Sequence, residues 1–405
     1  MIALAWRNLW RNKRRTIITI ASVLFAVLFS VLLRGFHKGT WNELIRSVLH
    51  SYSGYVQIHA NGFWDNRSLD YTINQNDSIL KSIDFEKLKI KNLIPRFESF
   101  ALASNKEKIK GTIIVGIDPE LEQSFTHIND KIVDGKYFSN NENGILVSQR
   151  LAEFLQISTN DSLVLISQGY QGASAAGLYH VIGIVKLPSP EFDNQMIFMP
   201  LKTAQDFYSA PSRLTSWIVD LSQESEMKKV VKNLQKILPT EKYEVMSWHE
   251  MLVELYQQFV SDEGGAKIML AILYLIVGFG VFGTVMMMLS ERRYEMGIMI
   301  AVGMKRYRLI SLIATELIFI CIIGLLSGII VSIPILYYYH LNPITFSGEM
   351  AEVYKAFGME PIMPVEWSTG YIINQAITIG IIAIVVLLYP IFYLYKFDII
   401  KALKR

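Results

Sequence analysis

Four runs without a single Asp, Glu, Lys or Arg constrain this chain more than any other feature. They are Thr16 to Leu33 (18 residues), Ile268 to Ser290 (23), Leu317 to Tyr339 (23) and Tyr371 to Tyr395 (25). A helix needs about 20 apolar residues to cross the hydrocarbon core of a bilayer, where every backbone polar group must be paired inside the structure. Each run therefore predicts a transmembrane helix. The first run follows a basic stretch, as signal peptides do, but it is longer than their usual apolar core of about 7–15 residues. It also continues into Arg34-Gly35-Phe36-His37-Lys38, which reads as an uncleaved signal anchor. Of the 405 residues, 51% are apolar and 19% charged, which excludes a wholly soluble enzyme, a disordered chain and a collagen-like fibre. The single cysteine, Cys321, lies inside the third run, so no intrachain disulfide can staple any part of the chain.

The flanks of these runs set an orientation. Arg7, Arg11, Lys13, Arg14 and Arg15 precede the first, and Arg292, Arg293, Lys305, Arg306 and Arg308 lie between the second and third. Lys396, Lys401, Lys404 and Arg405 follow the fourth, whereas residues 340–370 hold only Lys355 against Glu349, Glu352, Glu360 and Glu366. Positive charge is retained on the cytoplasmic side, so both termini and the loop 291–308 are expected there. The fold class that follows is a multi-pass α-helical membrane protein with four transmembrane helices and a large α+β extracytoplasmic domain between helices 1 and 2. The expected boundaries are a cytoplasmic segment 1–15, helix one 16–40, the α+β domain 41–265, helix two 266–290 and a cytoplasmic helix 291–308. Helix three (309–339), an outer loop (340–370), helix four (371–395) and a cytoplasmic tail (396–405) complete the chain.

Residues 41–265 carry 21 basic and 28 acidic side chains, a net charge of −7. Strands are predicted over 54–60, 111–117, 162–167, 180–187, 195–199 and 216–221, all rich in β-branched and aromatic residues. Ser148 is placed to cap a helix whose Leu151, Phe154 and Leu155 share a face, and Met227, Val230, Val231, Leu234 and Leu238 make a stripe that Pro239 stops. No catalytic motif is complete. His249-Glu250 lacks a second histidine one turn on, where Val253 stands. The Gly172 to Ala176 string resembles a nucleophile elbow without its last glycine or its strand-to-helix setting. A G-x-G-x-x-G formed by Gly278, Gly280 and Gly283 lies inside an apolar run with no βαβ unit, so it reads as helix packing. No catalytic residue and no metal ligand set is assigned.

The expected cytoplasmic segments are far shorter than the roughly 100 residues of a nucleotide-binding domain. Work done on that side must use a partner. The loop ERRYEMGIMIAVGMKRYR opens with Glu291, Arg292, Arg293 and Glu295 and closes with Lys305, Arg306 and Arg308. That order of acid before base suits a helix dipole. Its apolar middle predicts burial, against lipid or in the groove of a protein partner. Gly324-Leu-Leu-Ser-Gly328 is a small-residue face on the third run, and Gly278 and Gly280 offer another on the second, for helix packing or a dimer. Glu316 is the acid nearest a span, expected to pair with Arg292 or Arg308.

These residues carry a resemblance. The string ERRYEMGIMIAVGMKRYRLI is similar to the segment after the second span in FtsX-like and MacB-like permeases of ABC transporters, and AWRNLWRNKRRTIITIASVLFAVL and LYPIFYLYKFDIIKAL resemble their first helix and closing segment. GILVSQRLAEFLQISTNDSLVLIS and VIGIVKLPSPEFDNQMIFMPLKTAQDFYS resemble the periplasmic domain of the LolC and LolE lipoprotein-releasing branch. The resemblance implies a non-catalytic permease in a bacterial inner membrane, paired with a second permease that is either the same chain or a paralogue. It would work with two copies of a cytosolic ABC ATPase that use ATP and Mg, with no cofactor bound to this chain. A periplasmic lipoprotein carrier and the bilayer are further expected partners, and no nucleic acid is. Glu291, Arg292, Glu295, Met296, Gly297, Ala301 and Gly303 stand at the positions that couple to the ATPase. Family members often carry Arg or Lys where this chain has Tyr294, and Leu where it has Met299. Lipoprotein extraction is the expected task, with MacB-like export of peptide, macrolide or siderophore, or FtsX-like regulation of cell-wall hydrolases, as alternatives. Lipid-anchored cargo would gain access between helices one and two, near Phe36, Trp41 and Met269. Residues 168–180 lie where that branch docks a carrier.

Overall fold

A computed structural model describes residues 2–11, 13–81, 83–139, 142–356 and 361–396. Lys401, Lys404 and Arg405 of the basic tail lie outside the described residues. The chain forms two compact units: Met1–Glu43 with Gln258–Thr345 and Ile362–Arg405, and Leu44–Gln257 with Phe346–Pro361.

Among the described residues, four helices are long and apolar enough to cross a membrane: Thr16–Ser53, Val253–Glu291, Arg306–Leu341 and Thr369–Tyr395. The first two exceed the expected 16–40 and 266–290. At 38 and 39 residues they would reach about 57 Å, close to twice the hydrocarbon thickness. No proline interrupts residues 34–53 or 253–267, so the helices run on past their apolar runs until Gly54 (φ +67°) closes the first. Val23, Val27 and Val31 of the first helix share one core with Val281 and Val285 of the second, Ile313 and Leu317 of the third and Ile372 and Ile379 of the fourth. A shorter helix, Ile2–Arg11, buries Ala5 and Leu9.

The second unit is built on one ten-stranded mixed sheet. In order across it lie Tyr243–Ser247, Val56–Ala60, Ser216–Leu221, Ile90–Asn105, Lys108–Ile117, Met196–Pro200, Gly144–Ser148, Ser174–Val185 and Ile132–Gly135. Ser162–Gln168 joins the long strand Ile90–Asn105 to Ser174–Val185. All six predicted strands are present, Ser216–Leu221 with the expected bounds and the other five with shifted ends. The longest strand, Ile90–Asn105, was not predicted, because Pro95, Arg96, Glu98 and Ser99 break its apolar alternation. The helix after Ser148 forms at Gln149–Leu155, but the serine hydroxyl makes no capping bond and is buried without a partner. The Gln149 N–H donates instead to Asp193 Oδ1 at 3.2 Å. Met227–Ile237 buries Met227, Val230 and Leu234 and ends before Pro239 as expected. Apolar clusters cover both faces of the sheet. One gathers Phe97, Ile114, Leu151 and Leu165, and the other Val115, Ile117, Leu146 and Phe198.

His59 gives this unit an acid-sensitive point. It is buried on strand Val56–Ala60, donates Nδ1–H to the Thr215 carbonyl at 3.1 Å and stacks on Phe63, while Nε2 has no hydrogen-bond partner. Burial lowers its pKa from 6.5 to about 4, with the Arg67 charge acting in the same direction. The neutral ring is favoured in the fold, so its full contribution to stability is present above about pH 6.5. As pH falls from there toward 4, the unfolded chain takes up the proton first, and about 3 kcal/mol is lost. The denaturation midpoint of the intact chain should fall across that window, and His59→Gln should flatten the fall. Equal slopes for the two proteins would show that this ring does not drive it.

Candidate functional site

The segment after the second spanning helix forms a short helix, Arg293–Ala301, within the helical unit. It ends in two bonds characteristic of a helix C-terminus: Gly303 N–H to Ile300 O at 2.9 Å and Met304 N–H to Met299 O at 3.0 Å. Gly303 has φ +105°, a conformation that a side chain would strain. The apolar middle of the loop divides between two surroundings. Met296 and Gly297 are buried, and Met296 belongs to the core of the spanning helices. Tyr294, Ile298, Ala301 and Val302 are exposed, with Val302 at 84%.

Two ion pairs hold this helix in place. Arg292 Nη1 donates to Glu316 Oε2 at 2.6 Å, and Nη2 donates to the Asn8 carbonyl at 3.3 Å. Asn8 Nδ2 donates to the other Glu316 oxygen at 2.6 Å. Glu316 is 1% exposed and so depends on both partners. Of the two arginines expected for Glu316, the structure selects Arg292. On the exposed side Arg11 pairs with Glu295. A cavity of about 400 Å³ lies among Leu4, Asn8, Met299, Leu312 and these charged groups. The arrangement ties three helices together through side chains. The segment around Arg293–Ala301 is linked to Ile2–Arg11 through Arg11 and Asn8 and to Arg306–Leu341 through Glu316. The part played by Asn8 and Arg11 escaped the sequence reading, since a basic amino-terminal stretch reads as orientation signal alone. Glu291 closes the second spanning helix and is exposed.

At the opposite end of the same helices, Arg34, His37 and Trp41 recur every three or four residues on the first helix and face Asp262 and Glu263 of the second. Arg34 forks onto Glu263, with Nη1 to Oε2 at 2.8 Å, while His37 lies 2.7 Å from Asp262 Oδ2, to which the Trp41 indole N–H also donates. Of the access residues expected from sequence, Phe36 and Trp41 turn to different neighbours. Trp41 sits on this seam beside Phe259, Phe36 packs against Tyr339 of the third helix, and Met269 is 58% exposed. The five steps from Phe36 to Trp41 turn them about 140° apart on one helix.

The small-residue face is occupied within the chain. A Cβ on Gly324 would lie 2.7 Å from Val23 Cβ, and one on Gly328 would lie 2.6 Å from Val27 Cβ. Helices one and three thus approach at these glycines, and the face is not free for a second copy. Gly278 approaches Ile382 of the fourth helix, and nothing lies within 4 Å of the position a Cβ would take on Gly280.

Comparison with known proteins places these features in a family. Residues 16–237 match the MacB-like periplasmic core domain, and residues 267–399 match the FtsX-like permease C-terminal. The chain is 25% identical over 335 residues to the lipoprotein-releasing system transmembrane protein LolC of Buchnera aphidicola subsp. Schizaphis graminum, covering 80% of each. It is 21% identical over 344 residues to the macrolide export ATP-binding/permease protein MacB of Aggregatibacter actinomycetemcomitans, covering 79% of this chain and 50% of that protein. The chain thus spans about half the length of that MacB relative. The crystal structure of the periplasmic region of MacB from Actinobacillus actinomycetemcomitans aligns with 53% of this chain and 97% of that one at 14% identity and a TM-score of 0.36. With a MacB-like periplasmic core domain between its first two spanning helices and an FtsX-like permease region after it, the chain belongs to the ABC transporter permeases of the LolC, MacB and FtsX type.

Proposed function

We propose that this permease extracts lipid-anchored proteins from the outer leaflet of a bacterial inner membrane and passes them to a periplasmic carrier. The observation that carries this reading is the likeness to a lipoprotein-releasing permease across 80% of both chains, membrane helices and α+β domain together. In this reading both termini and the helix Arg293–Ala301 are cytoplasmic, which the 14 basic residues in the three flanking segments support. ATP and Mg are used by two copies of a separate ATPase, which supplies the motion. Glu291, Arg292, Glu295, Met296, Gly297, Ala301 and Gly303 transmit it. Glu295, Ala301 and the exposed Ile298 and Val302 form the contact surface, while Arg292, Met296 and Gly297 hold that surface rigidly on the spanning helices. The partner permease is a second copy or a paralogue.

Depletion in the native cell is the direct test. Lipoproteins bound for the outer membrane should accumulate in the inner membrane, with little change in drug tolerance. Normal lipoprotein sorting with new sensitivity to macrolides or peptides would instead establish the export reading that the MacB relatives favour.

A further inference from the structure

The exposed face of one part of the periplasmic sheet is apolar where a wet face should be polar. Antiparallel strands with one face in water alternate apolar and polar residues. Over 100–104, 109–113, 162–168 and 174–180, the buried side is occupied by Ala101, Ala103, Leu163, Leu165 and Ala175, as expected. The outward side carries Phe100, Leu102, Ile109, Val164, Ile166 and Leu178, exposed by 38% to 67%, bounded by the polar pairs Ser162–His180 and Gln168–Ser174 at its two ends. Strand register joins them into one patch. Leu102 stands opposite Ile166, Val164 opposite Leu178, and Ser104 opposite both Ile109 and Val164. None of the outward positions in these four segments is Asp, Glu, Lys or Arg, within a domain that carries 49 charged side chains between residues 41 and 265. Among the described residues nothing covers the patch, and the largest apolar patch on a domain of this kind is often functional.

Size and charge decide the occupant. Four strands about 4.8 Å apart and about five residues long present roughly 300 Å². A stable pairing of two copies buries about 800 Å² on each partner, so the patch cannot hold a dimer alone. Protein interfaces are anchored by Tyr, Trp and Arg, and Phe100 is the sole Phe, Tyr or Trp among the outward positions. Contact with an anionic bilayer surface relies on clustered cations. Here the hairpin turn holds only Lys106 and Lys108 beside Glu107, and the domain has a net charge of −7. A flat, uncharged, aliphatic surface complements hydrocarbon chains.

We infer that this sheet face binds the acyl chains of the cargo's lipid anchor as they leave the membrane. This rests on the lipoprotein reading above and adds to it a named surface. The test uses the full chain in phospholipid nanodiscs with a biotinylated triacylated lipopeptide. A photo-crosslinking benzoylphenylalanine replaces Leu102, Ile166 or Leu178, with exposed Lys232 as the control position. Capture of the lipopeptide at the three face positions should exceed that at Lys232 by about tenfold, and adding Leu102→Ser and Leu178→Ser should lower capture at position 166 by a similar factor. These outward substitutions leave the buried core intact. Crosslinks to nanodisc phospholipid that ignore added lipopeptide, crosslinks to a second copy, equal capture of the peptide without acyl chains, or no capture each overturn the inference. Lipoprotein retention on depletion without capture would overturn this surface and leave the cargo reading standing. Capture with normal lipoprotein sorting would keep the surface and overturn the cargo reading.

Discussion

Replacing Glu316 by Leu should lower the stability of the helical unit by about 3–5 kcal/mol, because it strands the Arg292 guanidinium at a site where its side chain is 10% exposed. Arg292→Met should cost as much, since Glu316 is almost wholly buried and Asn8 alone cannot neutralise it. The double variant should be closer to the native protein than either single one, because apolar replacement of a whole buried pair is often close to neutral. Thermal unfolding of the purified chain reads all three, and additive losses would mean that the pair is solvated and inert. Glu295 provides the contrast. Its pair with Arg11 is about half exposed, so Glu295→Ala should leave the midpoint within about 0.5 kcal/mol of native. In the reconstituted complex, however, it should lower ATP turnover or uncouple it from release while the isolated ATPase is unaffected. A Glu295→Ala complex with native coupling would leave the helix as a lipid-surface element.

The second large effect lies in the periplasmic domain. Arg96 is fully buried and forks onto Glu122, with Nε to Oε2 at 3.0 Å and Nη2 to Oε1 at 2.6 Å, while Nη1 donates to the Tyr52 carbonyl at 2.6 Å. Glu122 is fixed by the helix Pro119–Thr126, whose first N–H groups donate to Asp118. Glu98 lies 3.8 Å from the same guanidinium. Arg96→Leu therefore removes the cation shared by Glu122 and Glu98, leaving Glu122 only the attraction of Lys131, and should cost about 5 kcal/mol, the upper end for a broken buried pair. Glu122→Leu leaves Arg96 with Glu98 as a fallback and should cost less, about 3 kcal/mol. Arg96→Lys keeps the charge and loses the fork, and should fall between native and Arg96→Leu. Protease resistance of the domain in the intact chain ranks the variants. Equal losses for Arg96→Leu and Glu122→Leu would rule out the role given to Glu98.

The spanning helices were legible because lipid leaves a run such as Ile268 to Ser290 one way to pair its backbone. Their extensions were not, because residues such as Trp41 to Val48 have the mixed composition of any soluble helix or loop. Six strands showed as apolar bursts. The central strand Ile90–Asn105 did not, because its buried Arg96 reads as surface until the helix bearing Glu122 is folded against it. A helix in the loop 291–308 was legible, though it spans only Arg293–Ala301, and its period could not say which side chains face inward. Packing decided that Met296 belongs to the bundle and Val302 to the surface.

Sequence by itself determined four spans, the α+β domain between helices one and two, and the family. These follow from local composition and short strings, where each residue reports its own solvent. Tertiary structure alone decided that Gly324 and Gly328 receive Val23 and Val27 of the same chain, that Arg292 rather than Arg308 neutralises Glu316, and that Phe36 turns to Tyr339 while Trp41 turns to Phe259. It alone joined Leu102, Ile166 and Leu178 into one exposed face. Such pairings depend on which surfaces meet when distant segments bury apolar area together, and no single stretch of chain carries that information.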